Sequence, residues 1–115
     1  PDQCIVNEYL PGQGINPHID HIGSFQDCVI SISLGSDVVM NFKQIKGNVQ
    51  KSIFLHRRSA VVLTGDSRYQ WQHSIAPFEV DTFEGKEFKR GRRISITFRK
   101  ISPRAIQTLT KGIKR

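Results

Sequence analysis

The amino-acid sequence predicts an all-β domain, a jelly roll of about eight short strands with little helix. Two observations carry this. Apolar and polar residues alternate with period two in run after run, and Gly, Pro, Asn and Asp separate the runs. In addition, no stretch of the length an average helix needs shows a helical period. Short strands at this spacing must cover their edges, and a jelly roll is a two-sheet solution to that problem.

The elements follow in order. Residues 3–9 (QCIVNEY) read as the first strand, ended by the turn residues Pro11, Gly12 and Gly14. Residues 15–19 are short and extended, and residues 23–27 read as a loop. Residues 29–34 (VISISL) alternate cleanly, with Ile30, Ile32 and Leu34 on one face. Gly35-Ser36-Asp37 turns into a strand at 38–43, and Gly47-Asn48 turns again. Strands at 52–55, 60–64, 69–74 and 93–100 complete the set. The polar, Gly-containing segment 76–92 reads as a flexible connection. Residues 1–102 form one core, followed by a basic tail at 103–115.

A chain of 115 residues with 37% hydrophobic and 23% charged residues holds one domain. It opens on Pro1 and enters a strand at once, so it reads as a fragment of a longer protein. No apolar run has membrane length and no signal-peptide pattern is present. Cys4 and Cys28 are far apart, with no CxxC, which argues against a zinc knuckle and a disulfide scaffold. A reducing, intracellular setting, cytoplasmic or nuclear, is the expectation. Residues 86–115 carry eleven Lys/Arg against Glu87 alone, whereas residues 1–85 carry six against nine acids; these make +10 and −3 of the net +7. That asymmetry points to a polyanionic partner such as nucleic acid, or else to a solvated basic tail.

Four groups of residues carry chemistry. His18 and Asp20 are i and i+2, so on an extended chain both reach toward one ion. His73 is the candidate third ligand, and two imidazoles with one carboxylate suit non-haem Fe(II) with open positions. His21 would face away from Asp20, and His56 sits in a charged loop, so both are discounted. On the strand at 93–99, Arg93, Ser95, Thr97 and Arg99 share one face and Ile94, Ile96 and Phe98 the other. The apolar face should pack, leaving the arginines to meet something wet or anionic, because buried charges need partners. Guanidinium is the fork that fits a carboxylate. Asn7 and Tyr9 repeat the i, i+2 arrangement on the first strand. Bulk solvent at a sheet surface is the alternative environment for the Arg93–Arg99 face.

The ordered set Asn7-x-Tyr9-x-Pro11-Gly12, His18-x-Asp20, Ser67-Arg68 leading to His73, and Arg93-x-Ser95-x-Thr97-x-Arg99 resembles the AlkB family of Fe(II)- and 2-oxoglutarate-dependent dioxygenases. The resemblance covers residues 3–101. It implies a double-stranded β-helix, with His18, Asp20 and His73 as catalytic iron ligands and Asn7, Tyr9, Arg93 and Arg99 around 2-oxoglutarate. It implies an oxidoreductase that uses O2 to oxidise alkyl groups on nucleic acid bases, by demethylation or hydroxylation, releasing succinate and CO2. The wording of Asn7 to Asp20 and of Arg57 to Ile75 is most similar to the subgroup acting on tRNA wobble uridines, so RNA or tRNA is favoured over DNA as partner, with no membrane. Ile22 departs from members that repair methylated DNA, which carry an acid two places after the iron-binding Asp. The family's N-terminal nucleotide lid and the subgroup's flanking domains fall outside these 115 residues. A protein-directed hydroxylase of the same chemistry and a non-catalytic nucleic-acid-binding jelly roll remain as alternatives.

Overall fold

The computed structural model describes residues 1–103 and 105. Its strands are β1 (Gln3–Tyr9), β2 (Ile15–His18), β3 (Phe25–Leu34), β4 (Val38–Gln44), β5 (Gln50–Leu55), β6 (Ser59–Leu63), β7 (Trp71–Ile75), β8 (Val80–Phe83), β9 (Lys86–Lys89) and β10 (Arg93–Ile101), with one short helix, α1 (Gly65–Tyr69), between β6 and β7. Two antiparallel four-stranded sheets form, a first sheet ordered β1-β10-β3-β6 and a second ordered β2-β7-β4-β5; β8 and β9 pair apart from both. The chain passes back and forth between the two sheets as it winds, which makes the expected jelly roll, a double-stranded β-helix.

Side-chain alternation decides what each sheet turns inward. The second sheet supplies the apolar core: Val38, Met40, Leu55 and Ile75 are buried together, with Ile15, Phe42, Ile53 and Val61 packed against them. The first sheet turns a polar face inward. Its register sets Arg93 opposite Tyr9, Ser95 between Asn7 and Ser33, and Thr97 opposite Ser31. The apolar alternates Ile94, Ile96 and Phe98 therefore fall on the outer face beside Leu34, Ile32 and Ile30, and they are only half-buried. On that same face Val6 and Val62 are 62% and 53% exposed. The expectation that this apolar face packs is thus corrected among the described residues. Only the polar face is enclosed.

Three readings of local structure also change. Strand β3 starts at Phe25, inside the expected loop 23–27, because Phe25 pairs with Ile101 and the Gln26 amide donates to the Ile101 carbonyl (3.2 Å). The expected strand at 69–74 is the end of α1 followed by β7. At five residues α1 is too short to show a period, and it is held by one distant and one local polar bond. Asp27 Oδ1 accepts from the Gly65 N–H (2.8 Å), and Ser67 Oγ accepts from the Thr64 N–H (3.0 Å). The expected flexible connection 76–92 contains the hairpin β8–β9, turned at Glu84 and Gly85 with positive φ of 51° and 76°. That hairpin is fastened to the outside of the second sheet. Phe83 and Phe88 lie 5.6 and 4.6 Å from Phe54, ring to ring, and Asp81 Oδ2 accepts from the Val39 N–H (3.2 Å).

The basic last quarter is not one surface. Arg90, Arg93 and Arg99 turn inward, and Arg92 pairs with Glu8; Lys86, Lys89 and Lys100 are exposed. The expected basic tail 103–115 lies, apart from residues 103 and 105, outside the described residues. Among the described residues no helix is long and apolar enough to cross a membrane.

Candidate metal centre

Strand β2 ends on His18, and β7 sets His73 directly opposite it, with ring centroids 4.4 Å apart. Asp20, two residues on, turns its carboxylate between them. His18 Nε2 and His73 Nε2 each lie 3.6 Å from Asp20 Oδ1, and the three donor atoms all fall within 4.8 Å of one another. Separations of 3.6 Å are too long for good hydrogen bonds. They are close to what three ligands around one ion need, since bonds of about 2.1 Å put donors about 3.0–3.4 Å apart.

The protonation pattern suits a metal. His18 Nδ1 donates to the Asn16 carbonyl (2.8 Å), which leaves the Nε2 lone pair facing the site. Burial, and then the neighbouring His18, push the pKa of His73 down to about 4, so this imidazole is neutral at physiological pH, the form that ligates. Asp20 is anchored at both ends. Its Oδ2 accepts from Arg99 Nη1 (3.0 Å), and its backbone carbonyl accepts from Arg68 Nη1 (2.6 Å). Arg68, 1% exposed, also donates to the His21 carbonyl (3.3 Å), so it fixes the turn that carries the carboxylate. The donor set fits a 2-His-1-carboxylate iron centre.

Beside these donors opens a cavity of about 260 Å³. Its far wall is the polar face of the first sheet: Asn7 and Tyr9 from β1, and Arg93, Ser95, Thr97 and Arg99 from β10. Arg93 is 4% exposed. Its Nε and Nη2 both donate to Ser33 Oγ (3.3 and 2.8 Å), and its guanidinium stands 5.5 Å over the Tyr9 ring. Its Nη1 is buried with no hydrogen-bond partner, and no carboxylate among the described residues lies in ion-pair reach. Burial lowers its pKa. A buried, unpaired guanidinium facing a cavity is the receptor half of an ion pair, and a small carboxylate completes it.

All seven residues singled out in the sequence, His18, Asp20, His73, Asn7, Tyr9, Arg93 and Arg99, line this one cavity. They do not share one job there. Arg99 is already committed to Asp20, on the metal side, with its Nε left unpartnered, whereas Arg93 has no carboxylate partner at all and keeps Nη1 open. The discounted histidines lie apart: His21 bonds Ser24 Oγ (2.9 Å), and His56 packs edge-on against Phe54 (4.7 Å). Sequence reasoning gave no role to Ser33 or Arg68. Arg68 stood inside a quoted motif, but nothing in its neighbours says that its partners are carbonyls more than forty residues away.

Residues 1–99 match the family model described as the 2OG-Fe(II) oxygenase superfamily. The chain is 44% identical, over 88% of its length, to the mouse tRNA (carboxymethyluridine(34)-5-O)-methyltransferase ALKBH8, and spans 18% of that protein. It is 32% identical, over 69% of its length, to the alpha-ketoglutarate-dependent dioxygenase AlkB of Escherichia coli, and spans 37% of it. The solved structure of OsALKBH1 superposes with a TM-score of 0.62 at 21% identity, covering 84% of this chain and 48% of that one, a likeness of fold.

Proposed function

The chain belongs to the 2OG-Fe(II) oxygenase superfamily, in its AlkB branch, and we propose that it oxidises alkyl groups on nucleic acid bases, with RNA or tRNA preferred to DNA. One observation carries the reading: a His-Asp-His donor set and a buried guanidinium with a free N–H face each other across one cavity. His18, Asp20 and His73 would hold Fe(II), and Arg93 the distal carboxylate of 2-oxoglutarate. When bound, iron and 2-oxoglutarate supply the power to hydroxylate a C–H bond with O2, the co-substrate leaving as succinate and CO2.

The chain's own residues prepare that event. Arg99 withdraws one oxygen of Asp20 from the metal side and fixes the plane of the carboxylate. Asn16 fixes the His18 tautomer, and Arg68 immobilises the backbone at Asp20 and His21. Asn7 and Tyr9 complete the polar wall that would orient a five-carbon diacid. A base must leave its stack to reach such a site. The preference for RNA is supported by the 44% identity to a relative named for tRNA and by Ile22 standing where DNA-repair members carry an acid.

The test is succinate formation by the purified protein with Fe(II) and 2-oxoglutarate, across methylated DNA, methylated RNA and tRNA. RNA-stimulated succinate is the expected result. An absence of iron-dependent 2-oxoglutarate turnover with every substrate would sink the oxygenase reading.

A further inference from the structure

The outer face of the first sheet is apolar across all four of its strands. The register builds it in rows: Val6, Ile96, Ile32 and Ala60 stand side by side from β1 to β6, and Phe98 with Ile30 begins the next row. The central members are half-buried and the outer ones, Val6 and Ala60, exposed. A contiguous apolar surface of this kind is a place where something docks. The chain leaves β10 beside this face with a helix start already made. Ser102 Oγ accepts from the Ala105 N–H (3.1 Å), the bond of an N-cap, and donates to the Gly23 carbonyl (2.7 Å). Its own N–H donates to the Ser24 carbonyl (2.8 Å), so the cap is pinned to the loop that enters β3. Pro103 follows at the first helical position, where a fixed φ helps and a missing N–H costs nothing. The sequence beyond is basic but not uniformly polar. On a helical period Ile106, Leu109 and Ile113 are i, i+3 and i+7 and make one stripe, with Arg104, Thr108, Lys111 and Arg115 on the opposite side.

We propose that residues 104–115 form a helix that folds back over β10 and β3 and seals the outer face of the first sheet, with Ile106, Leu109 and Ile113 set on the rows of Phe98 and Ile96. The length suffices. Such a helix runs about 18 Å, against about 13 Å along β10 from Phe98 to Ile94. The tether favours this segment over a second copy of the chain. Held at Ser102, it meets the face at an effective concentration of about a millimolar, above that of a separate molecule. The seating also explains why the segment is basic, since Arg104, Lys111 and Arg115 fall on the side turned to solvent. The helix would brace the sheet whose other face is the arginine wall of the cavity. The inference stands apart from the oxygenase reading.

The chain carries its own reporters. Its only cysteines, Cys4 beside Phe98 and Cys28 two residues before Ile30, stand on this face. Their reaction rate with DTNB is measured in the 115-residue chain and in two variants. Leu109→Asp puts a charge into the stripe and should speed the reaction about tenfold by lifting the helix, most of all at Cys28, while Thr108→Asp, on the opposite side, should leave it unchanged. Rates that are equally fast in all three proteins show an open face and overturn the proposal. Slow rates that rise only on dilution, in a protein that sediments as a dimer with or without Leu109→Asp, assign the face to a second copy and overturn it too. A double-mutant cycle of Ile96→Ala with Leu109→Ala tests the contact itself by chemical denaturation. The joint effect on the unfolding equilibrium should depart from the product of the single effects by more than about threefold, and agreement within about twofold overturns the seating.

Discussion

Arg90 and Arg93 stand three residues apart and are 6% and 4% exposed, yet they are opposite cases of a buried cation. Arg90 meets Asp81 in a two-pronged pair, Nε to Oδ2 and Nη2 to Oδ1, both 2.7 Å, and Asp81 is held in turn by the Val39 N–H. Arg93 has only a shared serine hydroxyl and the face of Tyr9. Desolvating a guanidinium costs several kcal/mol, and an isolated charge does not recover it. The first arginine is complete without a ligand and fastens the β8–β9 hairpin. The second is complete only when something anionic fills the cavity. Burial alone therefore does not tell a structural arginine from a receptor. What the chain leaves unpaired does.

Removing the partner should separate the two most sharply. Asp81→Ala strands Arg90 and is expected to cost about 3–5 kcal/mol in chemical denaturation, whereas Arg93→Met should leave the ligand-free protein equally stable or more so. A large loss in Arg93→Met would mean that the cavity arginine is structural after all. With ligand the order reverses. Anaerobic Fe(II) and 2-oxoglutarate, each at about a hundredfold excess over its Kd, should stabilise the wild type by about 2.7 kcal/mol apiece, read as a rise in Tm, and Arg93→Met should lose the 2-oxoglutarate increment while keeping that of the metal.

Arg99 is the intermediate case, since its carboxylate partner is itself one of the proposed metal ligands. Arg99→Gln is expected to weaken metal binding about tenfold to a hundredfold by calorimetry, with a smaller effect on the fold than Asp81→Ala. The pH response of the metal-free protein sharpens the picture on the histidine side. His73 refuses a proton in the folded state until about pH 4, whereas the unfolded chain accepts one near 6.5. The unfolded state thus binds more protons across that window, and stability should fall as pH falls from about 6.5 toward 4. Thermal melts with a chelator measure this, and His73→Asn should flatten the slope. The smallest effect belongs to the surface. Glu8→Gln breaks the exposed pair with Arg92 and should change stability by about 0–1 kcal/mol.

Strand parity made much of this site legible in the sequence. Because side chains alternate, Asn7 with Tyr9 and Arg93 with Arg99 had to share faces, and the register of β1 on β10 then sets Tyr9 opposite Arg93. What stayed hidden depends on partners distant in the chain. The β8–β9 segment reads as loop because its four-residue strands are polar, and its order comes from Asp81, Arg90 and the Phe54 ring. Arg68 stands in the sequence only as part of a motif, yet it is the most buried large side chain described. The inward polarity of the first sheet went against the expectation that an apolar face packs, since a cavity that binds charged ligands must reverse the usual arrangement.

The pairing of β1 with β10 has a consequence for how the molecule comes to exist. These are the first and last strands among the described residues, and the cavity wall takes Asn7 and Tyr9 from one and Arg93 from the other. Joining them closes a loop that contains every other strand, the kind of distant contact that makes folding slow. A growing chain on the ribosome already holds His18, Asp20 and His73 before Arg93 is made. On the proposed reading it would present the metal donors early, while the arginine wall for a dicarboxylate would wait until β10 has zipped into place. Binding of a dicarboxylate there would thereby report that β10 has paired with β1.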